Sequence, residues 1–212
     1  MTKRKRQTAA EFLAELQRDP DYVDRIQKRD ARIADTEQEL TRAEARLVED
    51  LRAAGAEIES VWDLVNSRRR YPNLIPTLLS HLRRKYPQRI REGIARALAV
   101  PDARVGWNKL VQAFMAESGP VDPVLGVNEM KWALHLAIAA AADVSVLDDL
   151  VGLVIDRRRH GPHRSFFIDA LARIRDPRAR AALHEMKNDP DLVDAFKRLA
   201  KMQGARKRRA NR

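Results

Sequence analysis

Apolar positions recur three or four residues apart through most of this chain, the spacing that lines one face of an α-helix. From about Asn66 to Met202 the pattern falls into short segments set off by prolines and polar turns. A segment over about 73–84 carries Leu74, Ile75, Leu78, Leu79 and Leu82. A second starts at Pro87 and carries Ile90, Ile94, Ala97 and Leu98. A third follows Pro101-Asp102 with Val105, Trp107, Leu110, Val111 and Phe114. Gly119 to Gly126 contains two prolines and reads as a loop. Helices are then predicted over Val127–Ala142, Val144–Arg157 and Arg164–Arg173, and from Pro177 and Pro190, the last reaching Met202. Pro87, Pro101, Pro177 and Pro190 suit a first helical position, where the missing N–H has no intrahelical partner to lose. The segments pair into four units, whose first helices start near 73, 102, 144 and 177, with separations of 29, 42 and 33 residues. Each pair exposes an apolar side that it cannot bury alone, so stacking supplies the core. A compact helical bundle is the alternative arrangement.

The pattern before residue 57 is different. Thr8 and Glu11 form a capping-box signature for a helix over Ala9–Arg18, with Phe12, Leu13 and Leu16 as its apolar stripe. Asp19-Pro20 ends it, and a long helix is predicted over Asp21–Ala54. Ile26, Ile33, Leu40 and Leu47 lie seven apart, the spacing of a coiled-coil seam, but the intervening seam positions are polar or small. Three arrangements stay open: packing against Phe12 and Leu16 or along the repeats, a hairpin or coiled coil that makes a homodimer, and a solvated helix held by charged pairs. Gly55 reads as a helix-ending glycine. A short helix over Glu57–Asn66 follows, with Trp62 as an anchor between helices. The expected division is a basic disordered tail at 1–7, a helical arm at 8–56, a repeat domain at 57–202 and a second basic disordered tail at 203–212.

Composition narrows the function classes. With 44% hydrophobic and 33% charged residues, the chain has enough apolar content to fold. It has no cysteine, which excludes disulfides, thiolate metal sites and cysteine nucleophiles. The longest apolar run, Trp132 to Ala142, spans eleven residues and includes His135, too short to cross a bilayer. No apolar core follows Lys3-Arg4-Lys5-Arg6, so the expectation is a cytoplasmic protein without membrane insertion. Of the net charge of +11, four charges sit at residues 3–6 and five at 206–212, leaving +2 for the body. The excess is therefore weak evidence for a polyanion-binding repeat surface.

The segments YPNLIPTLLSHLRRKYPQRIREGIARALAVPDARVGWNKLV and RSFFIDALARIRDPRARAALHEMKNDPDLVDAFKRLA resemble the HEAT-like helical-repeat family. The resemblance rests on Asp-Pro or Pro-Asp helix starts, basic residues, and the steps Ala97-Leu98-Ala99 and Ala170-Leu171-Ala172. It covers about residues 60–202. The opening EFLAELQRDPDYVDRIQKRD is similar to the start of actinobacterial members. The resemblance implies an all-α fold, a short αα-superhelix or solenoid preceded by a long helix or helical hairpin. It carries over no activity. The fold also includes glycosylases for alkylated bases, but no glycosylase motif matches this chain residue by residue.

The candidate interaction surface comprises three basic clusters and one tryptophan. Arg68, Arg69 and Arg70 form the first cluster. Arg83, Arg84 and Arg91 belong to the second, and Arg157, Arg158, Arg159 and Arg164 to the third. All fall near helix ends, where cations complement the helix dipole; the other reading is a positive strip that meets phosphates. Core packing is the favoured reading for Trp107 and Trp132; of the two, Trp132 is the better candidate for exposure, because Met130, Leu134 and Ile138 already supply the buried stripe of its helix. His160 and His163 flank Gly161-Pro162 and lack further ligands for zinc. Asp148 and Asp149 are adjacent on a helix and point in different directions. No catalytic, cofactor-binding or metal-binding residue is assigned. The sequence therefore favours a non-enzymatic interaction or adaptor module with a protein partner, with nucleic-acid binding as the alternative and lesion glycosylase as a remote third.

Overall fold

A computed structural model describes the backbone of residues 8–119, 128–157 and 161–210, and their side chains except those of 161–163, 206–207 and 209–210. Lys3–Arg6, the proline loop at 120–127, Arg158, Arg159, His160 and Arg212 lie outside the described residues. The described residues are helical and contain no strand. No helix among them is long and apolar enough to cross a membrane.

The chain divides into two compact units, residues 1–45 and 46–212. In the first, α1 (Ala9–Leu16) opens with the expected capping box: Glu11 N–H donates to Thr8 Oγ1, and Thr8 N–H donates back to Glu11. It ends at Leu16, short of Arg18. It buries no residue, and Phe12 and Leu13 are about half exposed, at 52% and 53%. The long helix α2 (Pro20–Ala53) begins after Asp19, whose carboxylate accepts the Asp21 amide. The division falls at 45/46 rather than at the expected 56/57. The physical reason is that Leu47, Val48 and Leu51, near the end of α2, are buried in the second unit's core.

In the second unit, Gly55 closes α2 with φ of +95°, a left-handed conformation that favours glycine. The predicted Glu57–Asn66 helix shrinks to α3 (Val61–Val65), because a Ser60–Asp63 capping box starts it late. The remaining helices are α4 (Ile75–His81), α5 (Gln88–Ala97), α6 (Trp107–Ala116), α7 (Glu129–Ala141), α8 (Leu147–Ile155), α9 (Ile168–Arg173), α10 (Pro177–Glu185) and α11 (Val193–Ala210). Many are shorter than their apolar periodicity suggested. Single 3₁₀ turns or runs take up the difference, at Pro72–Leu74, Pro101–Gly106, Val144–Val146, Gly161–Phe167 and Pro190–Leu192. Pro87 is the residue before α5, not its first helical residue, with ψ of 147°.

Helix α7 is central to this unit. It packs against α5, α6, the Pro101–Gly106 turn and the Gly161–Phe167 segment. Ala133, Ala137 and Ala141, four residues apart, are almost wholly buried and let neighbouring helices approach closely. Alternate helices also touch: α3 with α5, α5 with α7, α7 with α9, α9 with α11, and α8 with α10. Phe114 of α6 meets Phe167 edge to face, with centroids 5.6 Å apart, at the middle of this core. Gly93 fixes the α3–α5 crossing, because a Cβ there would lie 2.5 Å from Val61 Cγ1 and 3.1 Å from the Trp62 indole nitrogen.

The expected disordered tail at 203–212 is corrected over most of its length. Helix α11 continues past Met202 to Ala210. Gly204 weakens that extension, but the alanines and basic residues around it are strong helix formers, and cations in the last turns complement the dipole.

Candidate functional site

The candidate residues among those described do not all line one cleft. Arg69 and Arg70 line a cleft of about 510 Å³ together with Glu57 and Asp63. Arg68, Arg69 and Arg70 are all exposed, and Arg70 also pairs with Asp102 of the Pro101–Gly106 turn at 2.6 Å. Arg83, Arg84 and Arg91 line a different cleft. Arg157 donates from Nε to Asp191 at 3.0 Å.

Arg164 is the plainest correction, because it is not a surface residue. Its side chain is 1% exposed, and its guanidinium donates to the Val154 carbonyl and to the carboxylates of Asp189 and Asp191. It ties the end of α8 to the turn that starts α11. Hydrogen bonding to Arg164 holds the Asp189 carboxyl below its ordinary pKa, against a smaller opposing effect of burial. An arginine after a glycine-proline turn gives no sequence signal that separates this role from a solvated cation.

Several aspartates at turn starts show the same division of labour. Asp143 accepts the Ser145 amide and pairs with Arg104. Asp176 accepts the Arg178 amide, and Arg178 also reaches Asp148 of α8 at 2.9 Å. Asp143 thus caps one turn and binds an arginine from another element, whereas Asp176 caps α10 and pairs with Arg178 of the same helix, which in turn reaches α8. Much of the basic character near helix ends is thus engaged in joining helices.

Trp132 is half-buried, and an arginine lies over its ring. The Arg96 guanidinium lies 4.8 Å from its centroid, and the same group lies 6.0 Å from Trp62. Arg89 covers Trp62 at 5.1 Å, and Glu92 anchors Arg96 at 2.7 Å. This arginine–tryptophan stack fills faces that a nucleobase would need. Trp107 is buried, and its indole N–H donates to Asp149 Oδ2 at 3.0 Å. Asp148 turns instead to Arg178, so the adjacent aspartates do point apart.

The second basic cluster lies in a cleft of about 550 Å³ between the segment after α4, the start of α5, and helices α6 and α7. Arg83, Arg84, Lys85 and Arg91 supply its cations; Leu82, Ala113, Ala116, Met130 and Leu134 supply an apolar lining. Arg91 donates to Glu117, which also accepts the Gly119 amide and the Asn128 side-chain amide. Burial opposes the charge on Glu117, but these donors outweigh it and hold its pKa low.

Beside this cleft is a network that sequence reasoning missed. His81 is fully buried, with Nε2 2.9 Å from Asp50 Oδ2 and Nδ1 2.6 Å from the Tyr86 hydroxyl. Burial lowers its pKa despite Asp50, so the ring is neutral near pH 7. The tautomer that satisfies both partners donates from Nε2 to Asp50 and accepts the Tyr86 hydroxyl proton at Nδ1. It fixes the segment that carries Arg83, Arg84 and Lys85.

Across α6 lies a third cleft, of about 410 Å³, lined by Trp107, Val111, Met115 and the acidic residues Asp148, Asp149 and Asp156. Gln112 lines both this cleft and the basic one. No group of three or more His, Cys, Asp or Glu residues suited to a metal occurs among the described residues. No family model matches the chain, and no curated protein or solved structure matches it either.

Proposed function

We propose that this protein is a helical-repeat interaction module that binds a partner protein over the surface centred on α6. The single observation that carries this reading is the placement of two clefts against one exposed helix, one with a cationic rim and one acidic, both with apolar lining. Such a surface offers apolar contact area at the centre and charges at the edges, the anatomy of a protein interface. The contacts between alternate helices support a HEAT-like stacking of pairs as the scaffold, in which α6 and α7 form one pair and α8 and α9 the next.

Two observations favour a protein partner over nucleic acid. The indole faces of Trp62 and Trp132 already carry arginines, and the basic clusters line different clefts. The same stack weighs against a lesion glycosylase, which needs an open aromatic cleft. We place the protein in the cytoplasm on its lack of cysteine and assign it no reaction.

The test is quantitative capture from native cells with nuclease-treated lysate, using the full chain and the R83E/K85E variant. Both substituted side chains are exposed, so the fold should survive. The expected result is a protein partner retained by the wild type and reduced about tenfold or more with the variant. Equal recovery with both chains contradicts the reading. Material captured from a parallel untreated lysate but absent from the nuclease-treated one would favour the nucleic-acid alternative.

A further inference from the structure

Helix α6 separates surfaces of opposite charge. Lys109, Ala113 and Ala116 run along the flank that faces the basic cleft, and Asn108, Val111 and Met115 along the flank that faces the acidic one. Gln112 stands on the crest between them. On one side Arg83 and Lys85 are exposed; on the other, Asp148 and Asp149 are exposed, Asp148 in an ion pair with Arg178. The crest itself carries no charge at exposed Gln112, and Asn108, Met115 and Ala116 beside it are uncharged as well.

A patch with a positive half, a neutral crest and a negative half is complementary to itself. Rotation by a half-turn about an axis parallel to α6, lying in the plane of contact, places each basic flank on the acidic flank of the other copy. The two α6 helices then face each other in parallel. An axis across α6 would instead set like charges together and is disfavoured. We propose that the partner of this surface is a second copy of the chain, bound through such an isologous two-fold contact. This inference rests on the reading of the α6 surface as an interaction site and specifies its occupant. Charge complementarity selects the second copy: a uniformly acidic partner would satisfy the Arg83–Lys85 side and be repelled by Asp148 and Asp149.

The experiment is sedimentation of the full chain, with circular dichroism confirming the fold of each variant. The wild type is expected to sediment as a concentration-dependent dimer at low salt and to weaken as salt rises to about 0.5 M, where screening acts over only a few ångströms. R83E/K85E and D148K should each raise the dimer Kd by about tenfold or more, and mixing the two should restore dimers containing one chain of each. A wild-type chain that stays monomeric overturns the proposal. So does a dimer that survives both charge reversals but is lost in Ile33→Asp, which would assign association to the α2 heptad seam. If the wild type is monomeric while capture of another protein still depends on Arg83 and Lys85, this inference fails and the interaction-module reading stands. If capture is indifferent to those residues, the broader reading fails by its own test.

Discussion

At the scale of single residues, the chain spends many charges on architecture. Arg164 is the clearest case, a buried cation held by two aspartates and a carbonyl. Arg164→Ala would leave the two carboxylates without it, and the expected loss is about 3–5 kcal/mol in denaturant unfolding. Arg157→Ala, whose side chain is 58% exposed, is expected to cost about 1 kcal/mol or less. Equal effects would contradict the distinction drawn between them. His81 makes a separate prediction. Its folded pKa lies below its unfolded value near 6.5, so the unfolded chain binds more protons as pH falls through the unfolded value. Its contribution is complete above that value and is lost as pH falls through the folded pKa. Thermal unfolding should show stability declining from pH 7 to pH 5, with a shallower decline in His81→Gln. Glu117 acts at lower pH, because its pKa is depressed from the ordinary carboxylate value. Glu117→Gln should cost about 1–3 kcal/mol at pH 7, with the gap to wild type narrowing below about pH 4 as wild-type Glu117 is protonated.

At the scale of elements, small residues and turn starts decide how helices meet. Gly93→Ala would press a methyl group into Val61 and Trp62, and overpacking of this kind costs about 1–3 kcal/mol. Gly204 has open space around its Cβ position, so Gly204→Ala should instead stabilise α11 by up to about 1 kcal/mol. Unfolding midpoints that moved in the same direction would contradict this contrast. The helical class and most helix positions were readable from apolar spacing, because a stripe of Leu78, Leu79 and Leu82 needs little tertiary context. Helix starts were less readable. Capping at Ser60 and 3₁₀ entries at Val144 and Gly161 shorten helices whose apolar pattern continues into the turn. The candidate surface was only partly readable. Arg83, Arg84 and Arg91 do share a cleft, but the sequence could not separate them from Arg164, which is buried, or from Arg70, which has an ion-pair partner. The acidic cleft stayed hidden because its wall joins α6 to α8, about forty residues further along.

At the scale of the molecule, the sequence shows why net charge alone is a poor guide. Nine of the eleven excess charges lie within residues 3–6 and 206–212, leaving a body near neutrality. The second unit instead separates its charges locally, basic on one side of α6 and acidic on the other. Such a surface gains specificity from pattern more than from total charge. The most direct test of the account places a photo-cross-linking amino acid at Gln112 and, in a second chain, at Arg180, which is exposed on α10. Illumination in native cells should give a discrete protein adduct from position 112 and none from position 180, with the position-112 adduct lost on adding R83E/K85E. No adduct at 112, or the same adducts from both positions, would contradict the assignment of the α6 surface as the site where this protein meets its partner.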